Sequence, residues 1–486
     1  MQESKLLKYY ATLKKEEFKE WEAFINSPFF NTNPNIAKLC QVLKKYYPDF
    51  NRPALNKEKV FKKLFKAPYN DLKMRKLMSA TFKLLEKFWV YSKIEKEQHL
   101  LETKLADCLY DRELYEAFDK KTHSLITTLA DKPYKTAEEI QQLIYWHHHL
   151  FFNQNPLKKV TDYTHLEKAT NYLRVYNEQQ RYYYTSEWNN IQHIYGYPIP
   201  ERINLVNKEL LFDNKEKENN LRYVYSLVVR LLNQPLQTTA PIYFELKDLL
   251  FAQKLDTTNQ RWLFQHLLNY SIRQNRESTN FSDEELQLYQ FGITNGTFLY
   301  RGKMAGINFV NITFIFCNYQ RFDLAKLLLT DYIQFLPKQE VVDCVTFAKA
   351  YIHFSKEAYL DCFHLSSSFY FKDSIVLELQ RRGLLIRSGY EYSLLREDYL
   401  EVVHSAVKNF DKFLTSHKVN HHKQKNNQVF NNFLITIIQW RKSVDSTIQE
   451  LEYLIDEVEK ERYLTVSSKK WLLKHLNALK KKAKVD

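Results

Sequence analysis

The chain has 486 residues and a formal net charge of +14, and 44% of its residues are hydrophobic and 15% aromatic. This composition excludes an intrinsically disordered chain, and no apolar run approaches the ~20 residues that a membrane-spanning helix needs. The five cysteines are scattered without a CxxC pair, which excludes a disulfide framework or a cysteine-based zinc site.

Glycine and proline are scarce, with seven glycines and twelve prolines in the whole chain. Sharp backbone turns depend on these two residue types, so their scarcity predicts an all-α fold. The first ten residues lack the apolar core of a secretory signal. Together with the unpaired cysteines, this predicts a cytoplasmic protein whose cysteines are small core residues.

The first region, residues 1–96, is strongly basic, with 21 lysines and arginines against 10 acidic residues. Prolines separate its short helices, and a long helix is expected over residues 71–95. Lysines recur at helical spacing on one face of each of the last two helices, opposite the apolar side. They are Lys59, Lys62, Lys63 and Lys66 on the first helix and Lys73, Lys76, Lys83 and Lys87 on the second.

Two such lysine faces could contact the phosphates of a nucleic acid. A solvated lysine face is the favoured alternative, because charge runs usually face water. Only two of the 21 basic residues are arginines, and arginine is the residue that suits bidentate phosphate binding and base readout. The pattern therefore argues against sequence-specific DNA recognition.

The middle region, residues 97–291, includes a 39-residue stretch between Pro156 and Gly196 with neither glycine nor proline. This stretch predicts one long helix or two helices joined by a short link. The run Arg181 to Tyr184 has the composition of a single-strand stacking platform, but core tyrosines are the favoured interpretation. The triplet His147 to His149 cannot close on one ion, because successive helical side chains diverge by about 100°.

Four of the seven glycines, at positions 292, 296, 302 and 306, mark a joint before the third region, residues 292–425. The pair Gly302-Lys303 lacks the GxxxxGK[ST] spacing and the preceding strand of a phosphate-binding loop. Helix caps at a domain boundary are expected there instead.

Helix pairs of similar design follow the joint. The first pair is expected over residues 309–318 and 324–334. Phe322, Tyr359 and Tyr399 take the same place after the turn in three successive pairs, at spacings of 37 and 40 residues. This pattern resembles a degenerate tetratricopeptide repeat. The resemblance implies an α-solenoid whose concave groove holds a protein partner.

The last region, residues 426–486, is expected to form three helices with a basic tail. The final helix sets Leu472, Leu476 and Leu479 against seven lysines. Peripheral membrane contact through this helix is a less favoured possibility.

One constellation is compatible with metal chemistry. Asp361 and His364, and Glu401 and His404, form two acid-x-x-His pairs that are 40 residues apart. Carboxylate-bridged di-metal sites use such pairs, but they need two further carboxylates that no pattern supplies. The favoured interpretation is polar residues on the exposed side of equivalent helices, and no metal or cofactor is predicted.

Several runs near the amino terminus carry a wider resemblance. They are SPFFN at 27–31, KKYYPDF at 44–50, KEKVFKKLF at 57–65 and KMRKLMS at 73–79. These runs resemble the opening of a family of uncharacterised bacterial helical proteins, and the likeness continues through the repeat-like region. The resemblance implies a helical fold and a bacterial cytoplasmic setting, and it brings no activity, ligand or catalytic residue.

The chain has no HExxH, GxSxG, dinucleotide-binding or kinase pattern. The sequence therefore predicts a non-enzymatic helical-repeat scaffold that mediates protein–protein interaction. The alternative hypothesis is a nucleic-acid-associated protein that binds phosphates through residues 1–96. A metal-dependent enzyme ranks last.

Overall fold

The computed structural model describes residues 4–47, 50, 55–152, 162–195, 197–201, 220–276, 281–419 and 421–484. Across these residues the chain forms 22 α-helices and no β-strand, which confirms the predicted all-α class. In the same ranges, none of the helices combines the length and apolar character needed to cross a membrane. The chain divides into two compact units, residues 1–178 and 179–486. The divisions expected near residues 96, 291 and 425 stay predictions.

The first unit is built from helices α1 to α8 and the first part of α9. Their bounds are α1 Lys5–Tyr10, α2 Glu17–Asn26, α3 Pro34–Lys44, α4 Lys57–Phe65, α5 Asp71–Lys96, α6 Gln98–Asp111, α7 Tyr115–Ala130, α8 Ala137–Phe152 and α9 Thr164–Tyr195. Asparagine side chains cap the starts of three of these helices, α3, α4 and α5. Asn33 accepts a hydrogen bond from the Asn35 N–H at 3.0 Å before α3, and Asn70 accepts from the Lys73 N–H at 2.9 Å before α5.

An aromatic-rich core holds α1 to α5 together. Trp21 of α2 is fully buried, with ring centroids 5.3 Å from Phe88 of α5 and 6.5 Å from Tyr10 of α1. Val60 and Phe61 of α4 are buried in the same cluster. Because the apolar residues of α4 and α5 point into this core, the lysines between them point outward.

The second unit contains the remaining helices. Their bounds are α10 Leu221–Asn233, α11 Leu236–Phe251, α12 Thr257–Arg276, α13 Ser282–Thr294, α14 Gly306–Asn318, α15 Phe322–Leu327, α16 Val341–Ser355, α17 Tyr359–Ser367, α18 Ile375–Ser393, α19 Tyr399–Ser416, α20 His421–Lys442, α21 Ile448–Lys460 and α22 Val466–Ala483. A large cluster of buried side chains joins α18 to α22 and includes Val403, Ile437 and Leu476.

Helices α14 to α20 pack mainly on their neighbours in the chain. Helix α14 contacts α15 and α16, α16 contacts α17, and each later helix contacts the one that follows it. Helix α16 also contacts α18. Phe322, Tyr359 and Tyr399 are the first residues of α15, α17 and α19, so all three equivalent positions begin a helix.

The links that precede α15 and α17 share one geometry. After α14, the Gln320 N–H donates to the Cys317 carbonyl at 3.0 Å and the Arg321 N–H donates to the Phe316 carbonyl at 2.8 Å. This pair of hydrogen bonds is a Schellman motif, whose penultimate residue has left-handed backbone. Gln320 has φ 56°, and Glu357, in the equivalent link after α16, has φ 60°.

A third link with this geometry joins α6 to α7 in the first unit. Glu113 has φ 59°, and its N–H donates to the Tyr110 carbonyl at 2.8 Å. The Leu114 N–H donates to the Leu109 carbonyl at 3.0 Å, and Tyr115 then begins α7. The turn found between the repeat-like helices therefore also occurs outside the region where the sequence pattern indicated repeats.

A buried ion pair ties the start of α18 to the end of α17. Glu378 is 2% exposed and accepts hydrogen bonds from Arg381 Nη2 at 2.6 Å and Nε at 2.8 Å, and from the Phe371 N–H at 3.1 Å. Arg381 Nη1 also donates to the Ser366 carbonyl. Burial raises the pKa of Glu378, but the hydrogen bonds and charge of Arg381 outweigh it and hold the pKa below its usual value.

The expected helix over 71–95 is α5, and the stretch free of glycine and proline contains α9. The second helix expected over 324–334 is shorter, because α15 ends at Leu327 and continues as a π-helical turn, Leu328–Tyr332, and a 3-10 turn, Ile333–Phe335. The expected burial of the cysteines is wrong for Cys108, which is exposed. Cys108 lies two residues beyond Ala106, the buried residue of α6, and so points to the opposite face.

Candidate functional site

The second unit contains a half-open cavity of about 580 Å³, a size typical of small-molecule sites. Every second helix of the repeat-like part, α14, α16 and α18, contributes to its wall, together with Tyr359 at the start of α17. Helix α20 and the first two turns of α22 complete the wall. Aromatic side chains form much of its apolar surface. They include Phe314, Tyr351, Phe354, Tyr359 and Trp471.

One face of α18 lines this cavity. Gln380, Gly383, Leu384 and Arg387 all belong to its wall, and their spacing of i, i+3, i+4 and i+7 places them on a single helical stripe. The stripe is therefore a direct result of the helical period. Its chemistry is unusual, because it combines a glycine, a cation and an amide on one otherwise apolar face.

Arg387 is half-buried and has no carboxylate partner within 4 Å among the described residues. Its Nη2 donates to Ser468 Oγ at 2.9 Å, and its guanidinium lies 4.9 Å from the Phe430 ring centroid and 5.9 Å from that of Trp471. Its Nε is buried and has no hydrogen-bond partner in the described chain. Burial lowers the pKa of Arg387, although the neighbouring Tyr351 opposes this effect.

Gly383 leaves open space in the same wall. Apart from its two chain neighbours and the backbone of its own helix, no described atom lies within 4 Å of the position that a Cβ would take. A glycine inside a helix costs about 1 kcal/mol relative to alanine. No contact within the described chain explains why this position carries a glycine.

Other charged and titratable groups border the cavity. Glu357 and Lys423 line its rim, and Ser467 and Ser468 belong to the first turn of α22, where the helix dipole favours anions. Burial raises the pKa of the Cys317 thiol to about 11, so this cysteine is protonated at neutral pH. The cavity therefore combines an aromatic interior with basic groups and one acidic group.

The structure places all eight predicted lysines of α4 and α5 on the surface. Lys59, Lys62, Lys63, Lys66, Lys73, Lys76, Lys83 and Lys87 are exposed, and none forms an ion pair with a described residue. Lys73 Nζ lies 4.0 Å from the Phe65 ring centroid at the end of α4, so the two helices meet there. Lys87 lies 5.8 Å and 5.9 Å from the Phe30 and Tyr91 rings.

The four candidate metal ligands are not gathered into one site. Asp361 is exposed and lies 3.6 Å from His353 Nδ1, while Glu401 is exposed, pairs with Lys442 and lies 3.9 Å from His404 Nδ1. His364 is exposed on α17. Within the ranges that the structure describes, no three histidine, cysteine, aspartate or glutamate side chains are arranged to hold a metal ion.

The triplet at 147–149 is divided between different surroundings. His147 is 1% exposed, and its Nδ1 lies 2.9 Å from Nδ1 of His165 on α9, with Tyr172 stacked beside it. Burial, followed by the charges of His165, Lys168 and His123, lowers the pKa of His147 to about 4. This histidine is therefore a neutral core residue at pH 7.

The three tyrosines of the run Arg181 to Tyr184 also differ in their surroundings. Tyr182 is 1% exposed, and Tyr183 packs on Tyr225 and Trp262 with ring centroids 5.3 Å and 5.7 Å away. Tyr184 is 61% exposed. Two of the three tyrosines thus face the interior, so the run does not present a continuous stacking surface.

Sequence reasoning missed the α18 stripe. The available signal was Gly383, a glycine in the middle of an otherwise helical pattern in a chain that has only seven. The partners of the stripe could not be read from the sequence, because Ser468 and Trp471 lie more than 80 residues further along the chain.

Comparison with protein-family models, with curated proteins and with solved structures finds no match for this chain. The resemblance at residues 27–79 therefore stays an expectation.

Proposed function

We propose that the chain is a non-enzymatic helical scaffold that binds a protein partner in the groove along α14, α16 and α18. The observation that carries this proposal is the cavity, because alternate helices of three successive pairs line it. In stacked helix hairpins, the first helix of each pair faces the concave surface where partners bind. The proposal thus includes the tetratricopeptide-like arrangement of α14 to α19.

Two further observations support this arrangement. The positions of Phe322, Tyr359 and Tyr399 at the starts of alternate helices match the repeat pattern. The links at Gln320 and Glu357 share a Schellman turn, so the first two pairs bend in the same way. The five cysteines are free thiols, which suits the reducing cytoplasm that the proposal assumes.

Site-specific photo-crosslinking tests the groove. A benzoylphenylalanine would replace Phe354, which lines the cavity, and in a matched control it would replace Tyr453, an aromatic residue of α21 that is 64% exposed. In cells that naturally produce the protein, the Phe354 variant should form one discrete adduct that the control lacks. The captured protein should then bind the purified chain in a 1:1 complex. Absence of an adduct at Phe354, or identical adducts at both positions, would contradict the proposal.

Nucleic-acid association through the lysine faces is the second candidate. It is favoured by the eight exposed lysines, which have no acidic partners among the described residues. Binding to duplex DNA should then weaken with salt, with a log–log slope of about −0.9 for each phosphate neutralised. Changing Lys59, Lys62, Lys63 and Lys66 to glutamine should make that slope shallower by about 3 to 4.

The matched control for this test removes the same charge elsewhere. It changes four other exposed lysines, Lys412, Lys418, Lys481 and Lys482, to glutamine. If the salt dependence of DNA binding became shallower by the same amount in both variants, the overall charge, and not the lysine face of α4, would attract DNA. No measurable binding at low salt would remove the candidate.

A further inference from the structure

Among the described glycines of the second unit, one stands at a position where neither the backbone conformation nor a neighbouring side chain requires glycine. Gly296 and Gly302 have φ of 63° and 72°, which favours glycine. At Gly292, Gly306 and Gly389, an added Cβ would meet a neighbouring side chain at 2.5, 2.4 and 3.0 Å. Gly383 alone among the six described glycines has neither feature. The seventh, Gly196, lies outside the described residues.

The open space at Gly383 is part of the cavity wall, and two buried polar atoms on the same stripe have no partner. Gln380 Oε1, one turn before Gly383, and Arg387 Nε, one turn after it, are buried without a hydrogen-bond partner in the described chain. Buried polar atoms in folded proteins nearly always have a partner. A ligand that lies against Gly383 would lie between Gln380 and Arg387, the two cavity-lining residues that carry these atoms.

The charge of a ligand in this cavity follows from Arg387. A guanidinium that is removed from water needs an anion or several hydrogen-bond acceptors. Ser468 supplies one acceptor, and the cavity's acidic group, Glu357, makes no ion pair with Arg387. Lys423 and the first turn of α22 lie on the same cavity and add to the field that attracts an anion.

We propose that this cavity binds a small organic anion whose apolar, planar body lies over Gly383 between the aromatic walls and whose carboxylate or phosphate pairs with Arg387. The volume of about 580 Å³ accommodates a ligand of that size. Phe354, Tyr359 and Trp471 provide ring faces for the apolar body. This site lies in the same cavity as the proposed partner groove, but it goes beyond partner binding and does not depend on it, since the purified chain alone should bind the anion.

Displacement of a fluorescent probe tests the anion preference. The purified full chain would be saturated with 8-anilinonaphthalene-1-sulfonate, and 1-naphthoate, 1-naphthyl phosphate and the uncharged 1-naphthamide would compete with it. At least one of the two anions should displace the probe at a concentration tenfold or more below that of the amide. The stronger of the two identifies the anionic group. Equal displacement by all three compounds would overturn the proposal.

Three variants assign the preference to the stripe. In Arg387→Gln the advantage of the anion over the amide should fall to about onefold, whereas in Arg301→Gln, which changes an exposed arginine of the same unit, it should persist. Gly383→Leu should abolish displaceable binding without lowering the melting temperature, because its side chain enters open space. If the Gly383→Leu variant does not fold, Gly383→Ala provides the same test with a smaller expected loss of binding. An unchanged anion preference in Arg387→Gln, or unchanged binding in the Gly383 variant, would overturn the proposal.

Discussion

Two glycines of α18 permit a direct test of how packing decides the effect of one methyl group. Gly383 and Gly389 lie six residues apart in the interior of the same helix. At Gly383 an added Cβ meets no described atom outside its own helix within 4 Å, whereas at Gly389 it would lie 3.0 Å from Val403 Cγ2 and 3.1 Å from two ring atoms of Phe363. The same change to alanine therefore enters open space at one position and a packed interface at the other.

The expected magnitudes follow from these distances. Alanine gains about 1 kcal/mol over glycine in a helix interior, so Gly383→Ala should raise the free energy of unfolding by about that amount. At Gly389 the same gain is opposed by overpacking between α17, α18 and α19, which costs about 1–3 kcal/mol. Because both positions share one helix, the propensity gain cancels, and Gly389→Ala should be about 1–3 kcal/mol less stable than Gly383→Ala.

Urea unfolding of the full chain, followed by circular dichroism at 222 nm, measures this difference. The transition midpoint should lie above the wild-type value for Gly383→Ala and clearly below the Gly383→Ala value for Gly389→Ala, with the slope unchanged. An equal rise in both midpoints would refute the close packing at Gly389. A fall in the midpoint for Gly383→Ala would refute the open space on which the ligand site depends.

Glu378→Ala should destabilise the second unit by about 3–5 kcal/mol, since it leaves the buried guanidinium of Arg381 without its carboxylate. Adding Arg381→Met to this variant should restore much of the urea midpoint. A midpoint that is not restored would contradict the pairing. His147 has a folded pKa of about 4, below its usual 6.5, so the unfolded imidazole gains a proton first as the pH falls below 6.5. The free energy of unfolding should therefore fall by up to about 3 kcal/mol between pH 6.5 and 4. This fall should be smaller in His147→Phe. An identical pH dependence of unfolding in that variant would contradict the role of His147. Glu113→Gly should raise the melting temperature, because a left-handed backbone costs a non-glycine residue about 1–2 kcal/mol. A lower melting temperature would show that the Glu113 side chain stabilises the turn.

The sequence predicted the helices where local period and turn residues decide the structure. Helix α5 runs from Asp71 to Lys96 against an expected 71–95, since Asn70 caps its start and its apolar side repeats regularly. The cavity could not be predicted in this way. Its formation depends on α18 meeting Ser468 and Trp471, and contacts at such separation leave no local pattern. Likewise, the exposure of Asp361 and Glu401 depends on which faces of α17 and α19 are covered by neighbouring helices.

Because glycine is scarce in this chain, the position of each glycine is more informative than it would be in an ordinary chain. Helix ends that commonly use glycine use Glu113, Gln320 and Glu357 here, each with positive φ. A chain that accepts this cost at its turns has little reason to keep a glycine in a helix interior unless a side chain would interfere there. At Gly389 the interfering group is Phe363 and Val403 of the same chain. At Gly383 no group of the described chain interferes, and this is the reason to look for a molecule that occupies the space.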